Sequence, residues 1–175
     1  MSIKSSWFFL LLMPGLLCIS VSGAGCLFTG GTPPWSGSGF IREELLEYRR
    51  IAVLPFQGDP KGEASHAFAE DFHERFPQIG LVRREEVLGA FQEQELYSNR
   101  IDEATRRKIG QVFGVQALIV GNVYYPSILR WLLQIQVIDA ESGQITGRSF
   151  VEINYAGAEG VKETCKIAVK NLTLR

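Results

Sequence analysis

Leu129-Arg130-Trp131-Leu132-Leu133-Gln134-Ile135-Gln136-Val137-Ile138-Asp139, then Ala140-Glu141-Ser142-Gly143 and a further strand-like run from Gln144 to Tyr155, is the stretch that decides the fold. Side chains alternate across a strand, so Leu129, Trp131, Leu133, Ile135 and Val137 share one face, while Arg130, Leu132, Gln134, Gln136 and Ile138 share the other. The first face is wholly apolar and the second mixed. The link from Asp139 to Gly143 reads as a hairpin loop with glycine at the position of positive φ. Two strands joined this closely must be antiparallel. A third strand-like run, Val115 to Tyr125, precedes them and makes a meander.

Upstream the pattern changes. Arg50-Ile51-Ala52-Val53-Leu54-Pro55-Phe56 is a short apolar run closed by Gly58-Asp59-Pro60, a buried strand and a loop. Ala64, Phe68, Phe72 and Phe76 then recur every four residues, the stripe of a helix that Pro77 stops. A brief strand at Leu81-Val82-Arg83, a helix from Glu85 to about Leu96, and a helix capped by Asp102 and ended by Gly114 follow. A last helix from about Gly157 places Val161, Cys165, Ala168 and Leu172 on one stripe, which makes Cys165 a core residue rather than a reactive thiol. Alternating early units and a late meander predict an α/β (α+β) fold. Its expected form is a mixed sheet of about five strands flanked by three to four helices.

The N-terminus has a different character. Lys4, the apolar run Trp7 to Leu17, and Val21-Ser22-Gly23-Ala24-Gly25-Cys26 read as a bacterial export signal ending at a cysteine, with small residues before the cut. The form resembles a lipoprotein signal, although Gly23 stands where an aliphatic residue is usual. The resemblance implies that the Cys26 thiol carries acyl chains such as palmitate and tethers the protein to a membrane without spanning it. A permanent span and an ordinary secretory signal are the competing readings; Pro14-Gly15 and the serines interrupt the first. The expected organisation is therefore a signal peptide at 1–25, a lipid-anchored flexible tether at 26–46, and a globular domain at 47–175. From Leu27 to Ile41 no residue is charged and Gly, Ser, Pro and Thr dominate, the composition of a flexible leash. Leu27 after the lipidated cysteine, rather than Asp, favours the outer membrane by analogy.

Composition narrows function mainly by exclusion. The formal charge is −1 with Lys4 included, and no basic face gathers, so a nucleic-acid partner is not expected. Only Cys165 remains in the domain, so no internal disulfide is expected. His66 and His73 lie seven residues apart on the first helix, about 10 Å along its axis, too far to share a metal. No phosphate loop, dinucleotide fingerprint or nucleophile elbow is present. No catalytic residue, metal site or cofactor is therefore assigned, and a non-enzymatic role is expected. Arg106-Arg107-Lys108 reads mainly as solvated charge offset by Asp102 and Glu103, with a basic turn touching an anionic polymer or headgroup as the other reading. Trp131 and Trp35 are the candidate membrane or interface contacts, and core burial is the commoner fate for a residue like Trp131.

Three segments together carry a family resemblance: Arg50 to Phe56, Gly114-Val115-Gln116-Ala117-Leu118-Ile119-Val120-Gly121, and Val137-Ile138-Asp139-Ala140-Glu141-Ser142-Gly143. They are similar to the CsgG-type lipoprotein domain, itself similar to the N-terminal domain of TolB, over roughly Tyr48 to Leu172. Channel-forming members insert extra strands that build a barrel, and no such pairs remain here. In size the chain looks more like the PelC type of exopolysaccharide export lipoprotein. That resemblance implies an outer-membrane lipoprotein facing the periplasm, assembled as a homo-oligomeric ring. Its implied partners are the membrane lipid through acylated Cys26, an outer-membrane porin or export machinery, and a polysaccharide. The alternatives are a monomeric LpoB-like regulator of an envelope synthase, or an accessory of a CsgG-like secretion system.

Overall fold

The computed structural model describes residues 35–92, 96, 101–127, 130–153 and 160–175, all within the unit Thr32–Arg175. The signal-peptide and lipidation assignments, Cys26 included, lie outside the described residues. Six strands form one mixed sheet: β1 (Trp35–Ile41), β2 (Arg50–Val53), β3 (Gly80–Val82), β4 (Ala117–Ser127), β5 (Arg130–Asp139) and β6 (Ile145–Ile153), in the order β1-β6-β5-β4-β2-β3. β2 pairs in parallel with β3 and β4, and every other pairing is antiparallel. Among the described residues five helices are bounded: α1 (Glu44–Glu47), α2 (Glu63–Arg75), α3 (Arg84–Ala90), α4 (Glu103–Phe113) and α5 (Gly160–Lys170). The α+β class and mixed sheet expected from the alternation are what the chain adopts. Among the described residues no helix is long and apolar enough to cross a membrane.

The sheet has one strand more than expected, because the assumed tether folds. Residues 35–41 pair antiparallel with β6 from Trp35 opposite Ile153 to Ile41 opposite Gly147, and α1 follows before residue 47. The Gly-Ser composition that reads as a leash has a packing reason instead. A Cβ on Gly37 would stand 2.6 Å from the Phe150 carbonyl oxygen and 2.8 Å from Asn171 Nδ2, and one on Gly39 would stand 2.6 Å from the Asn171 carbonyl oxygen. Only bare backbone fits between β6 and the end of α5.

α2 and α5 cover one face of the sheet. The expected stripe of Ala64, Phe68, Phe72 and Phe76 is buried, with ring centroids 4.8 to 5.9 Å apart along the helix. It meets Ile51, Ile119, Leu133, Ile135 and Val151 from the strands and Cys165 and Ala168 from α5 in one apolar cluster. At about 25 cal/mol per Å² of apolar surface, this layer supplies most of the driving force for folding. Arg75 Nη1 and Nη2 donate to the carbonyls of Val169 (2.6 Å) and Leu172 (3.0 Å), occupying the open acceptors at the end of α5. Cys165 is sealed, and burial pushes its thiol above the ordinary range, so it is a core residue as read from the stripe.

The second face is covered only in part. Val87 of α3 and Ile109 of α4, with Phe91 and Val115 just past the ends of these helices, pack against Ala52 of β2, Leu54 just after it, Val82 of β3 and Leu118 of β4. Asp102 caps α4 by accepting from Thr105 N at 2.8 Å, and Gly114 closes it at φ 62°, as the sequence predicts. Arg106 is a correction to the basic-turn reading. It is buried at 6% exposure and donates to the carbonyls of Asp139 (3.1 Å) and Ala140, while Arg107 pairs with Glu103 at 2.6 Å. Arg106 is therefore a brace between α4 and the β5–β6 turn, not a free basic group.

Candidate functional site

On the second face, α3 and α4 stop at β4, and β5, β6 and β1 present alternate side chains beyond them. Register aligns these into rows: Asn122, Gln134, Phe150 and Ser38; Tyr124, Leu132, Glu152 and Ser36; Val120, Gln136, Arg148 and Phe40. With strands about 4.8 Å apart, such a row spans roughly 14 Å. Gln134, Gln136, Asn122, Leu132 and Phe150 are half-buried, and Tyr124 is exposed at 46%. Arg130 pairs with Glu152 along one margin. This open face is where the mixed alternation of β5 becomes a surface.

Where the open face meets the covered part lies a partly enclosed cleft of about 40 Å³, lined by Pro55, Gln57, Asn122, Gln134, Gln136 and Ile138 among other described residues, none of these charged. Gln57 follows β2 and bridges in parallel to Asn122, its N–H donating to the Gly121 carbonyl at 2.8 Å. Its buried Oε1 has no hydrogen-bond partner among the described residues. An unsatisfied buried acceptor is costly, so an outside donor gains there. A wider, shallower depression beside Arg107 and Glu141 carries both charge signs and no aromatic ring.

The two tryptophans part company. Trp131 is 2% exposed and belongs to the core cluster on the α2/α5 face, so of its two readings the core one holds and it is not an exposed contact. Its strand phase points it inward with Leu133 and Ile135, and the ring outside it is Tyr125, stacked at 6.1 Å and 7° and 63% exposed. Trp35 opens β1 opposite Ile153, which is itself opposite Trp131, so register brings the two positions to one end of the sheet. Tyr125 could not be singled out from sequence because a register shift between Tyr124 and Ser127 ends the simple alternation there.

Histidine and carboxylate chemistry stays dispersed. His66 Nε2 lies 3.2 Å from Glu70 Oε1, with both side chains half-exposed, and His73 is exposed on the same helix. Among the described residues no group of three metal-ligating side chains gathers. The most connected carboxylate is Asp139 at the β5–β6 turn. Its Oδ1 accepts from Ser142 N (2.7 Å), Ser142 Oγ (2.8 Å) and Glu141 N (3.1 Å), and its Oδ2 accepts from the Tyr48 hydroxyl (2.8 Å). Burial alone would raise its pKa, but these donors outweigh it and hold the carboxyl below the usual range. Burial and then the hydrogen bond to Asp139 push the Tyr48 hydroxyl upward. This cluster locks a turn and tethers it to the end of α1; all of its donors are spent internally.

No family model matches the chain. In fold it is similar to the PelC dodecamer from Paraburkholderia phytofirmans, with a TM-score of 0.55 and 12% identity over 81% of this chain and 99% of that one. It is also similar to lipoprotein GNA1162 from Neisseria meningitidis, with a TM-score of 0.51 and 19% identity over 70% and 94% of the two chains. At these identities the likeness is one of fold.

Proposed function

We propose that this chain is an outer-membrane lipoprotein, anchored through acylated Cys26 and facing the periplasm, which assembles into a ring and serves as a non-enzymatic accessory in the export of a polymer, an exopolysaccharide. The observation that carries the reading is the likeness in fold, along 99% of its length, to a protein solved as a dodecamer. The leader supports the anchor. Because β1 begins at Trp35, eight residues separate it from Cys26. Whatever their conformation, eight residues span at most about 28 Å. A domain held so close works beside the bilayer, which suits a ring under a porin and not a regulator that must cross the periplasm.

In this reading the end of the sheet where β1 begins, at which Tyr125 is exposed, faces the lipid, where Tyr favours the interface. A ring further needs two different complementary surfaces on each subunit. Its work is positional, since the histidines stand on a solvated helix face and the one described cysteine is sealed. The test is the native mass of the full lipidated protein, extracted in mild detergent, together with mass spectrometry of residue 26. One large species of fixed multiplicity and a diacylglyceryl thioether are expected. A monomer at high concentration overturns the ring and favours the synthase regulator, and a free thiol at Cys26 overturns the anchor.

A further inference from the structure

The open face carries a specific combination: a cleft with four side-chain amides and no charge among its described lining residues, with aromatic rings beside it on the same face. We propose that this surface binds an uncharged saccharide chain. The inference rests on the export reading and names the class of polymer that the domain touches. Gln57, Asn122, Gln134 and Gln136 each offer a carbonyl acceptor and an NH₂ donor, the matched pair that vicinal hydroxyls require. Asn122 and Gln134 are direct cross-strand partners, Gln136 follows on the same face, and Gln57 bridges to Asn122, so the four amides are contiguous. The orphaned Oε1 of Gln57 is an acceptor awaiting a hydroxyl donor.

Size and shape agree. The cleft is small, about 40 Å³, and suits a hydroxyl or hydroxymethyl group with the sugar ring lying over the sheet. Tyr124, exposed two positions along β4 from Asn122, and Phe150, opposite Gln134, offer flat apolar surface there. Charge decides the class. Among the described residues the cleft lining holds neither carboxylate nor ammonium, and Arg130 and Glu152 at the margin pair with each other. Arg148, across from Gln136 and exposed, is a further charge on this face. A face built to bind a second copy would present continuous apolar area at its centre, whereas here amides separate half-buried Leu132, Phe150 and Val120.

The experiment is calorimetric titration of the full lipidated protein in detergent with three oligomers of matched length: cellohexaose, an oligogalacturonate and an oligomer of deacetylated chitosan. Cellohexaose is expected to bind in the millimolar range, with the two charged oligomers at least tenfold weaker. The double variant Gln134→Leu/Gln136→Leu is expected to lose at least tenfold, and His73→Ala, on a helix of the opposite layer, to bind as the parent does. No heat with cellohexaose up to about 10 mM, tighter binding of either charged oligomer, or an unaltered double variant overturns the proposal. A smaller native mass for the double variant also overturns it, because the face then belongs to a subunit contact. A monomer that binds cellohexaose defeats only the ring reading, and a ring that does not bind it defeats only this one.

Discussion

The two faces of the same sheet teach different lessons, and β5 shows both. Trp131, Leu133, Ile135 and Val137 are fully buried under α2 and α5, while Leu132, Gln134, Gln136 and Ile138, one residue out of phase, are only half-buried. One strand thus meets a sealed interior on one side and solvent with a polar cleft on the other. The difference arises from where helices run out: α2 and α5 extend across the sheet, whereas α3 and α4 stop above β4. Among the described residues the larger apolar cluster lies on the first face, and the second leaves the outer side of β5 only half-buried.

Adjacent leucines give the sharpest way to break this contrast. Leu133→Ala is expected to cost about 2–5 kcal/mol, and Leu132→Ala about 1 kcal/mol, in urea unfolding of the same preparation. Equal losses would mean that something covers the second face. Next in size is Arg106→Met, which strands the carbonyls of Asp139 and Ala140 beneath α4 and should cost about 1–3 kcal/mol, with the midpoint lowered. A loss below a few tenths would remove the brace from the covered half of that face.

Asp139→Asn tests the turn where the two faces meet, at about 1 kcal/mol near neutral pH after allowance for its partial exposure. The pH signature is more telling than the size. Asp139 has a depressed folded pKa, so its contribution is present above the unfolded value of about 3.9 and disappears as pH falls through the folded value. Tyr48 has a raised pKa, so its contribution is present below about 10 and disappears as pH rises beyond that. The variant should therefore show a flatter stability profile at both extremes, checked by denaturation from pH 2 to 11. Smallest of all is Gln134→Leu, within about 0.5 kcal/mol by the same unfolding assay, since its amide serves the surface rather than the core. A large loss would place Gln134 in the packing and not in a binding face.

How much was legible depends on which forces act locally. The phenylalanine stripe of α2, the Asp102 cap, the Gly114 and Gly143 stops and the antiparallel meander were readable, because each is a short-range rule with a period or a dihedral behind it. β1 was not, since Gly-Ser composition suits both a loose leash and a strand pressed against another chain segment; the contacts that choose, with Phe150 and Asn171, lie more than a hundred residues away. Arg106 was misread for a similar reason. A basic triplet on a helix looks solvated until the Asp139 turn folds over it. Of the open face, the sequence showed the amides of β5 as its mixed side, yet neither Gln57 nor Tyr124 stood out, since their place beside Gln134 follows from the β2–β4 and β4–β5 registers.

Sequence alone determined the period of each element, the hairpin connections, the inward phase of β5 and the central place of Cys165, because alternation and helical stripes are set by neighbours along the chain. Tertiary structure alone decided that residues 35–41 join the sheet, that Trp131 is covered and Tyr125 is not, and that four amides line one cleft. The physical reason is common to all three. Side-chain phase is a property of a single strand, but whether a face is covered depends on how far helices from elsewhere in the chain extend over it.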